Sequence, residues 1–324
     1  MKRPGPASIV RVAVATALTA FVLWKSDPAA VGRAMAGARP WQLLAACALV
    51  LADRALMAYR WLVLLRPFST PDGPPFSAVM RIFFVSTFVG TFLPASVGGD
   101  AVRAYALSRE RVAGSAALAS VLMDRMMGVL SILIMAVAGL GLMRGLAEST
   151  AVIGALAVTA AVCGVTAAVV FINGARTLAQ RLLVAIPGAR LRGLAGRLLD
   201  AMGAYATRRG DLGNVLAGSV GVQVLRIVQA YLLGLSLDIQ APLVAYFALI
   251  PVILLVMLLP VTVNGVGTSQ AAFVWFFAMA GVASAPAFAL SVLFVALGIV
   301  GNLPGGLLYL TGGLQGRAGT GSTA

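Results

Sequence analysis

The 324-residue chain has no histidine, two cysteines and ten acidic residues, and each shortage removes a class of function. Without histidine, neither a hydrolase triad nor an imidazole-bound zinc site can be assembled. Cys47 and Cys163 each lie inside an apolar run, which argues against a disulfide framework and against a thiolate metal site. Charged residues of both signs make up 10% of the chain, and stretches such as 130–143 and 150–172 contain none. No catalytic residue, metal or cofactor is therefore expected, and the chain is not expected to be an enzyme.

What the chain has instead is apolar residues, 60% of the total against roughly 45–50% in soluble domains. No soluble fold hides that much apolar surface, so the expectation is an all-α integral membrane protein, a single membrane domain over residues 1–324. The formal net charge is +14, with the cations gathered at the ends of apolar spans. There they favour retention on the cytoplasmic side and meet anionic lipid head groups. Nucleic acid is not an expected partner, because no aromatic-basic module or finger spacing occurs. Anionic membrane lipids are. The opening Met1-Lys2-Arg3 and the apolar run to Trp24 read as an uncleaved first helix, since Arg11 interrupts the run.

Taking about 17–25 apolar residues per crossing, spans are expected near 9–24, 41–65, 116–143, 151–172, 212–237 and 286–310. Two segments resist this description. Residues 77–111 are interrupted by Leu93-Pro94-Ala95-Ser96-Val97-Gly98-Gly99-Asp100, and residues 241–280 by Leu259-Pro260-Val261-Thr262-Val263-Asn264-Gly265-Val266-Gly267. The two interruptions resemble one another and read as an internal repeat. Residues 176–209 hold seven arginines against Asp200 and should be cytoplasmic, as should Lys2, Arg3 and Arg317. The signs close if both interrupted segments are re-entrant hairpins. That gives about six spans plus two hairpins, in inverted halves at about 9–143 and 151–310. Ordinary spans kinked by Pro and Gly, about eight in all, are the alternative. The hairpin reading places the chain in the cell inner (cytoplasmic) membrane, with both termini cytoplasmic. Residues 173–211 intersperse leucine and arginine as an interfacial amphipathic segment does.

Charges inside hydrocarbon need a partner or a task. Asp100 and Arg103 share one helical face behind the Gly98-Gly99 turn. Free amides at a helix start with an arginine one turn in form a plausible phosphate cradle. Alternatively, Asp100 caps the helix and Arg103 is its ion-pair partner. Asp124 and Arg125 are adjacent and point to different sides, so one can meet Arg103 or Asp100 while the other faces elsewhere. Arg226, between Gln223 and Gln229, forms a polar stripe suited to a cavity. Asp53, Arg54 and Arg60 form another polar group, although Arg60 and Arg66 are equally placed to snorkel to the interface. The second interruption offers Asn264 and Gln270, polar but uncharged.

Phe92-Leu93-Pro94 through Gly98-Gly99-Asp100, then Arg103-Ala104-Tyr105 and Asp124-Arg125, form one ordered set. Pro260, Asn264-Gly265-Val266-Gly267 and Gly305-Gly306-Leu307-Leu308-Tyr309 continue it. In this order the motifs resemble the flippase-like family related to the transmembrane region of lysylphosphatidylglycerol synthases, over residues 9–312. The 324 residues include no soluble aminoacyl-transfer domain, so the resemblance implies lipid translocation and not lipid synthesis. Where that family usually carries Arg-Glu after the second glycine pair, this chain has Ser269-Gln270. The expected activity is a flippase for an anionic phospholipid or lipid-linked head group. Its binding residues would be Gly98, Gly99, Asp100, Arg103, Asp124, Arg125, Arg226, Asn264 and Gln270. A small-anion secondary transporter, or a non-transporting partner of a lipid enzyme or glycosyltransferase, remains open.

Overall fold

The computed structural model of the chain describes residues 6–68, 74–92, 98–110, 112–143, 150–183, 188–258 and 267–312. Among these the regular structure is entirely helical. Among the described residues, five stretches are long and apolar enough to cross a membrane: Pro40–Phe68, Gly114–Leu142, Val152–Phe171, Arg209–Ser236 and Ser284–Leu310. At about 1.5 Å per residue, a 29-residue stretch is about 44 Å long, more than a hydrocarbon core requires.

The helices run in chain order as α1 (Pro6–Lys25), α2 (Pro28–Ala36), α3 (Pro40–Leu65), α4 (Phe76–Phe92) and α5 (Gly98–Ser108). Next come α6 (Gly114–Leu142), α7 (Thr150–Phe171), α8 (Asn173–Leu182), α9 (Ala189–Gly203) and α10 (Arg209–Ser236). The last are α11 (Leu243–Leu258), α12 (Thr268–Ala278), α13 (Ser284–Val300) and α14 (Leu303–Gly312). Local chemistry explains several boundaries. The Asp27 carboxylate accepts from the Ala29 and Ala30 amides at 3.1 and 3.3 Å, and Pro28 opens α2 where no N–H is needed. The span expected at 286–310 falls within the crossing stretch Ser284–Leu310, in which Gly301 and Asn302 form a turn between α13 and α14. Pro304, at the second position of α14, has no N–H to bond the Val300 carbonyl and so interrupts the ladder.

The chain divides into two compact units. One is residues 1–55, 129–160 and 220–301; the other is residues 56–128, 161–219 and 302–324. Neither is a half of the sequence, and α3, α6, α7 and α10 each supply residues to both.

In the first unit, α11 and α12 are antiparallel neighbours. Tyr246, near the start of α11, meets Phe277, near the end of α12, with ring centroids 5.1 Å apart. Phe277 in turn stacks on Phe273 at 5.7 Å. Around these rings lies a core that includes Ile227, Leu249, Ile250 and Leu290, all fully buried. The connecting residues 259–266, which include Pro260 and Asn264, lie outside the described residues.

In the second unit, α4 and α5 fold back on one another. A Cβ on Gly90 would sit 2.9 Å from the Gly99 Cα, so the two backbones touch where both residues lack side chains. Further along, Phe83, Ala106 and Leu107 pack with Trp61 of α3. A second cluster joins Leu64, Met123, Leu212 and Tyr205. The Tyr205 hydroxyl donates to the Leu64 carbonyl at 2.8 Å, and burial holds its phenol well above the ordinary value, so it remains a donor. The tip, residues 93–97 with Pro94, lies outside the described residues. Helices α8 and α9 are linked by a Gln180 to Asp200 hydrogen bond at 3.2 Å. Leu178, Leu182, Leu191 and Leu194 are exposed on them, beside exposed Arg181, Arg192 and Arg197.

Candidate functional site

Asp124 lies ten residues into α6, about 15 Å along its axis. An apolar helix can carry a carboxylate at that depth only if cations meet it, and two do. Its Oδ1 accepts from Arg60 Nη2 at 2.9 Å, and its Oδ2 accepts from Arg103 Nη1 at 3.2 Å. Arg60 also donates to the Asp124 backbone carbonyl at 3.2 Å. All three side chains are buried. The Arg103 guanidinium lies over the Trp61 ring at 5.2 Å and the Phe83 ring at 4.6 Å, with Ser86 Oγ 3.5 Å from its Nε. Each cation–π contact adds about 0.5–2 kcal/mol at a desolvated site. Trp61 is held by an indole N–H bond to Ser120 Oγ at 3.2 Å.

The neighbouring pair is more open. Arg125 Nε donates to Asp100 Oδ2 at 2.6 Å, and 52% of the Arg125 side chain is exposed against 13% for Asp100. Asp100 stands in the first turn of α5, after Gly98 and Gly99, where backbone amides have no partner within the helix. The adjacency of Asp124 and Arg125 thus works as a double clamp on α5, one side chain to Arg103 and the other to Asp100. Among the described residues the group totals three arginines against two aspartates, a surplus of one positive charge.

The remaining predicted residues are placed as follows. Gln270 turns back on its own helix: its Oε1 accepts from the Gly267 amide at 2.6 Å and from Ser269 Oγ at 2.9 Å. It thereby caps α12, which Gly267 enters at a φ of 88°. Asn264 lies outside the described residues. Arg226 meets Asp53 at 3.4 Å, and Asp53 meets Arg54 at 2.8 Å. The sequence grouping of Asp53, Arg54 and Arg60 therefore separates, because Arg60 is two turns further along α3 and belongs with Asp124. Arg60 does not snorkel; it is 2% exposed. Arg66 is the exposed one and pairs with Asp211 at 2.9 Å. Reasoning from sequence leaves Arg60, Trp61, Phe83 and Ser86 out of the site. The signal for Arg60 is its position five residues before the end of α3, deep enough to need an anion.

A family profile described as the lysylphosphatidylglycerol synthase TM region matches residues 8–305. The chain belongs to this family. Its membership covers both ionic groups and both helical hairpins, and it makes the chain a multi-pass membrane protein linked to lipid metabolism. No curated protein matches the chain. No solved structure does either.

Proposed function

We propose that the chain moves an anionic phospholipid or lipid-linked head group across the cell membrane, without catalysing a covalent step. The observation that carries this reading is the surplus positive charge at Arg60, Asp124, Arg103, Arg125 and Asp100, with Arg125 reachable beside the first turn of α5. Arg103 is committed to Asp124 and two aromatic rings, so it anchors the α4–α5 hairpin. Arg125, Asp100 and the Gly98-Gly99 amides face the head group. A phosphate would draw the Arg125 guanidinium from its pair and leave Asp100 to the α5 amides, an exchange between two charge-assisted arrangements of comparable strength. In the same reading α4–α5 and α11–α12 are re-entrant hairpins of inverted halves, both termini are cytoplasmic, and alternating exposure follows from rocking of one half.

The test is head-group-selective translocation in proteoliposomes, read by quenching of fluorescent lipids from the outer leaflet. Wild-type protein is expected to move labelled phosphatidylglycerol faster than labelled phosphatidylcholine. Arg125→Gln should slow the anionic lipid by roughly tenfold, the worth of one charge-assisted hydrogen bond. Equal rates for the two lipids, or a rate no higher than in protein-free vesicles, would falsify the proposal.

A further inference from the structure

Helices α8 and α9 of the second unit take no part in the translocation reading, yet their packing presents a surface at the end of a crossing stretch. The two run antiparallel. Arg176 of α8 lies against Gly203 of α9, Gln180 donates to Asp200 at 3.2 Å, and a Cβ on Gly196 would stand 3.9 Å from Leu183 Cδ1. The base of the pair is tied down. Arg176 donates to the Val169 carbonyl at 3.3 Å and to the Val170 carbonyl, both in the last turn of α7, where a guanidinium also meets the negative end of the helix dipole. A Cβ on Gly203 would stand 2.6 Å from Arg176 Nη1, so the missing side chain leaves the guanidinium its place. Just past α9, the Tyr205 hydroxyl donates to the Leu64 carbonyl of α3, and its ring meets Phe68 edge-on with centroids 5.6 Å apart.

Along α9 one apolar stripe runs from this base to the far end. Leu191, Leu194, Leu198 and Met202 follow one another at three- and four-residue steps, which keeps them on one helical face. Met202 is buried and Leu198 partly so, both packed in the cluster with Leu64 and Leu212. Leu194 and Leu191 continue the same stripe uncovered, 40% and 54% exposed. On α8, Leu178 and Leu182 are a helical turn apart and also exposed. The charge around these leucines is of one sign. Residues 173–203 hold five arginines and one acid, Asp200, which lies toward the base and accepts from Gln180. Arg181 and Arg197 are exposed beside the leucines. Uncovered leucine in the company of arginine argues against a second copy of the chain as the cover, since two such surfaces repel, and fits an anionic one.

We infer that the far end of the α8–α9 pair inserts Leu182, Leu191 and Leu194 among the acyl chains of the leaflet at the C-terminal end of α7, with Arg181 and Arg197 at the level of the lipid phosphates. The partner is a bilayer surface of anionic lipid. Arginine suits the boundary because its stem lies along apolar surface while its planar fork donates to phosphate oxygens. The clamped base matters as well, since a surface held in place before it meets the bilayer loses little freedom on docking. Docking of this kind requires no head group to cross the membrane, so the inference stands whether or not the chain translocates lipid.

The experiment uses the full chain carrying Cys47→Ala and Cys163→Ala, so that a single bimane label can be placed at Leu191→Cys or, as a control off the leucine face of α8, at Thr177→Cys. Each protein is reconstituted into phosphatidylcholine vesicles with or without phosphatidylglycerol, part of the lipid bearing a nitroxide high on its acyl chain. With phosphatidylglycerol present, the label at position 191 should be quenched severalfold more than the label at 177. Adding Arg181→Gln and Arg197→Gln should bring that quenching down to the level seen in phosphatidylcholine alone. A label at 191 quenched no more than the control, or equally in both kinds of vesicle, overturns the inference. If the cysteine-free chain does not fold, p-benzoylphenylalanine in place of Leu191 in the otherwise unaltered chain takes over as the probe. Irradiation should then give adducts with phosphatidylglycerol; adducts with a second copy of the chain, or none, overturn the inference. Head-group translocation is read independently from outer-leaflet fluorescence. Loss of insertion with translocation intact therefore counts against this inference alone, and the reverse counts against the proposed function alone.

Discussion

At the scale of single residues, Asp124 is the most heavily committed side chain described, because two buried guanidiniums depend on it. Replacing it with asparagine preserves its shape and removes the charge that Arg60 and Arg103 share, leaving a buried excess of two cations. Breaking a buried pair in this way typically costs about 3–5 kcal/mol. We expect Asp124→Asn to lower the melting temperature of the detergent-purified protein sharply, read by tryptophan fluorescence. Adding Arg103→Gln should recover part of the loss, since the second change removes one of the stranded charges. Strictly additive losses in the double variant would mean that Arg103 and Asp124 are not energetically paired. Gln270 shows a contrasting use of a polar residue. Its carbonyl is consumed in capping α12, so the uncharged pair Ser269-Gln270 does local structural work in this chain.

At the scale of elements, the α4–α5 hairpin depends on a spacing that only glycine permits. A Cβ on Gly99 would lie 3.0 Å from the Ser86 carbonyl oxygen and 3.1 Å from the Gly90 Cα, and both neighbours are backbone that cannot swing away. Gly99→Ala should therefore destabilise the protein by about 1–3 kcal/mol through overpacking. Gly114→Ala, at the start of α6 where nothing lies within 4 Å of the added carbon, should be neutral or slightly stabilising. Equal melting temperatures for the two variants would show that the close approach is not a constraint. The helices themselves are legible in the sequence, since uninterrupted apolar runs bounded by charge have few other solutions in a membrane. The packing of α4 against α5 is legible too, from a Pro-Gly cluster inside an apolar run. The ion pairs are not. Helical periodicity tells which residues share a face, but it does not tell which helix that face meets. Asp53 and Arg60, seven residues apart on one helix, go to different partners for that reason. The break at Gly301-Asn302 also escapes a hydropathy reading, because the residues on both sides are equally apolar and only the missing N–H of Pro304 distinguishes them.

At the scale of the whole molecule, the net charge of +14 is not spread evenly. Within α8 and α9, Arg181, Arg192 and Arg197 are exposed beside exposed leucines at 178, 182, 191 and 194, with Asp200 the one acid on these helices. Leucine and arginine side by side on exposed short helices suit the boundary between head groups and acyl chains, where apolar contact and attraction to anionic lipid add together. Each basic residue near an anionic surface contributes about 1 kcal/mol at ordinary ionic strength. The wild-type protein should accordingly melt higher in nanodiscs containing phosphatidylglycerol than in pure phosphatidylcholine. Replacing Arg181, Arg192 and Arg197 together with glutamine should erase most of that difference while leaving the melting temperature in phosphatidylcholine unchanged. High salt should mimic the substitution, because exposed charges are screened over about 10 Å at 0.1 M. If the triple variant keeps the full lipid-dependent gain, the stabilisation arises from sites buried within the membrane helices and not from α8 and α9. In that case the gain should also persist in high salt, since buried pairs are screened far less than exposed ones.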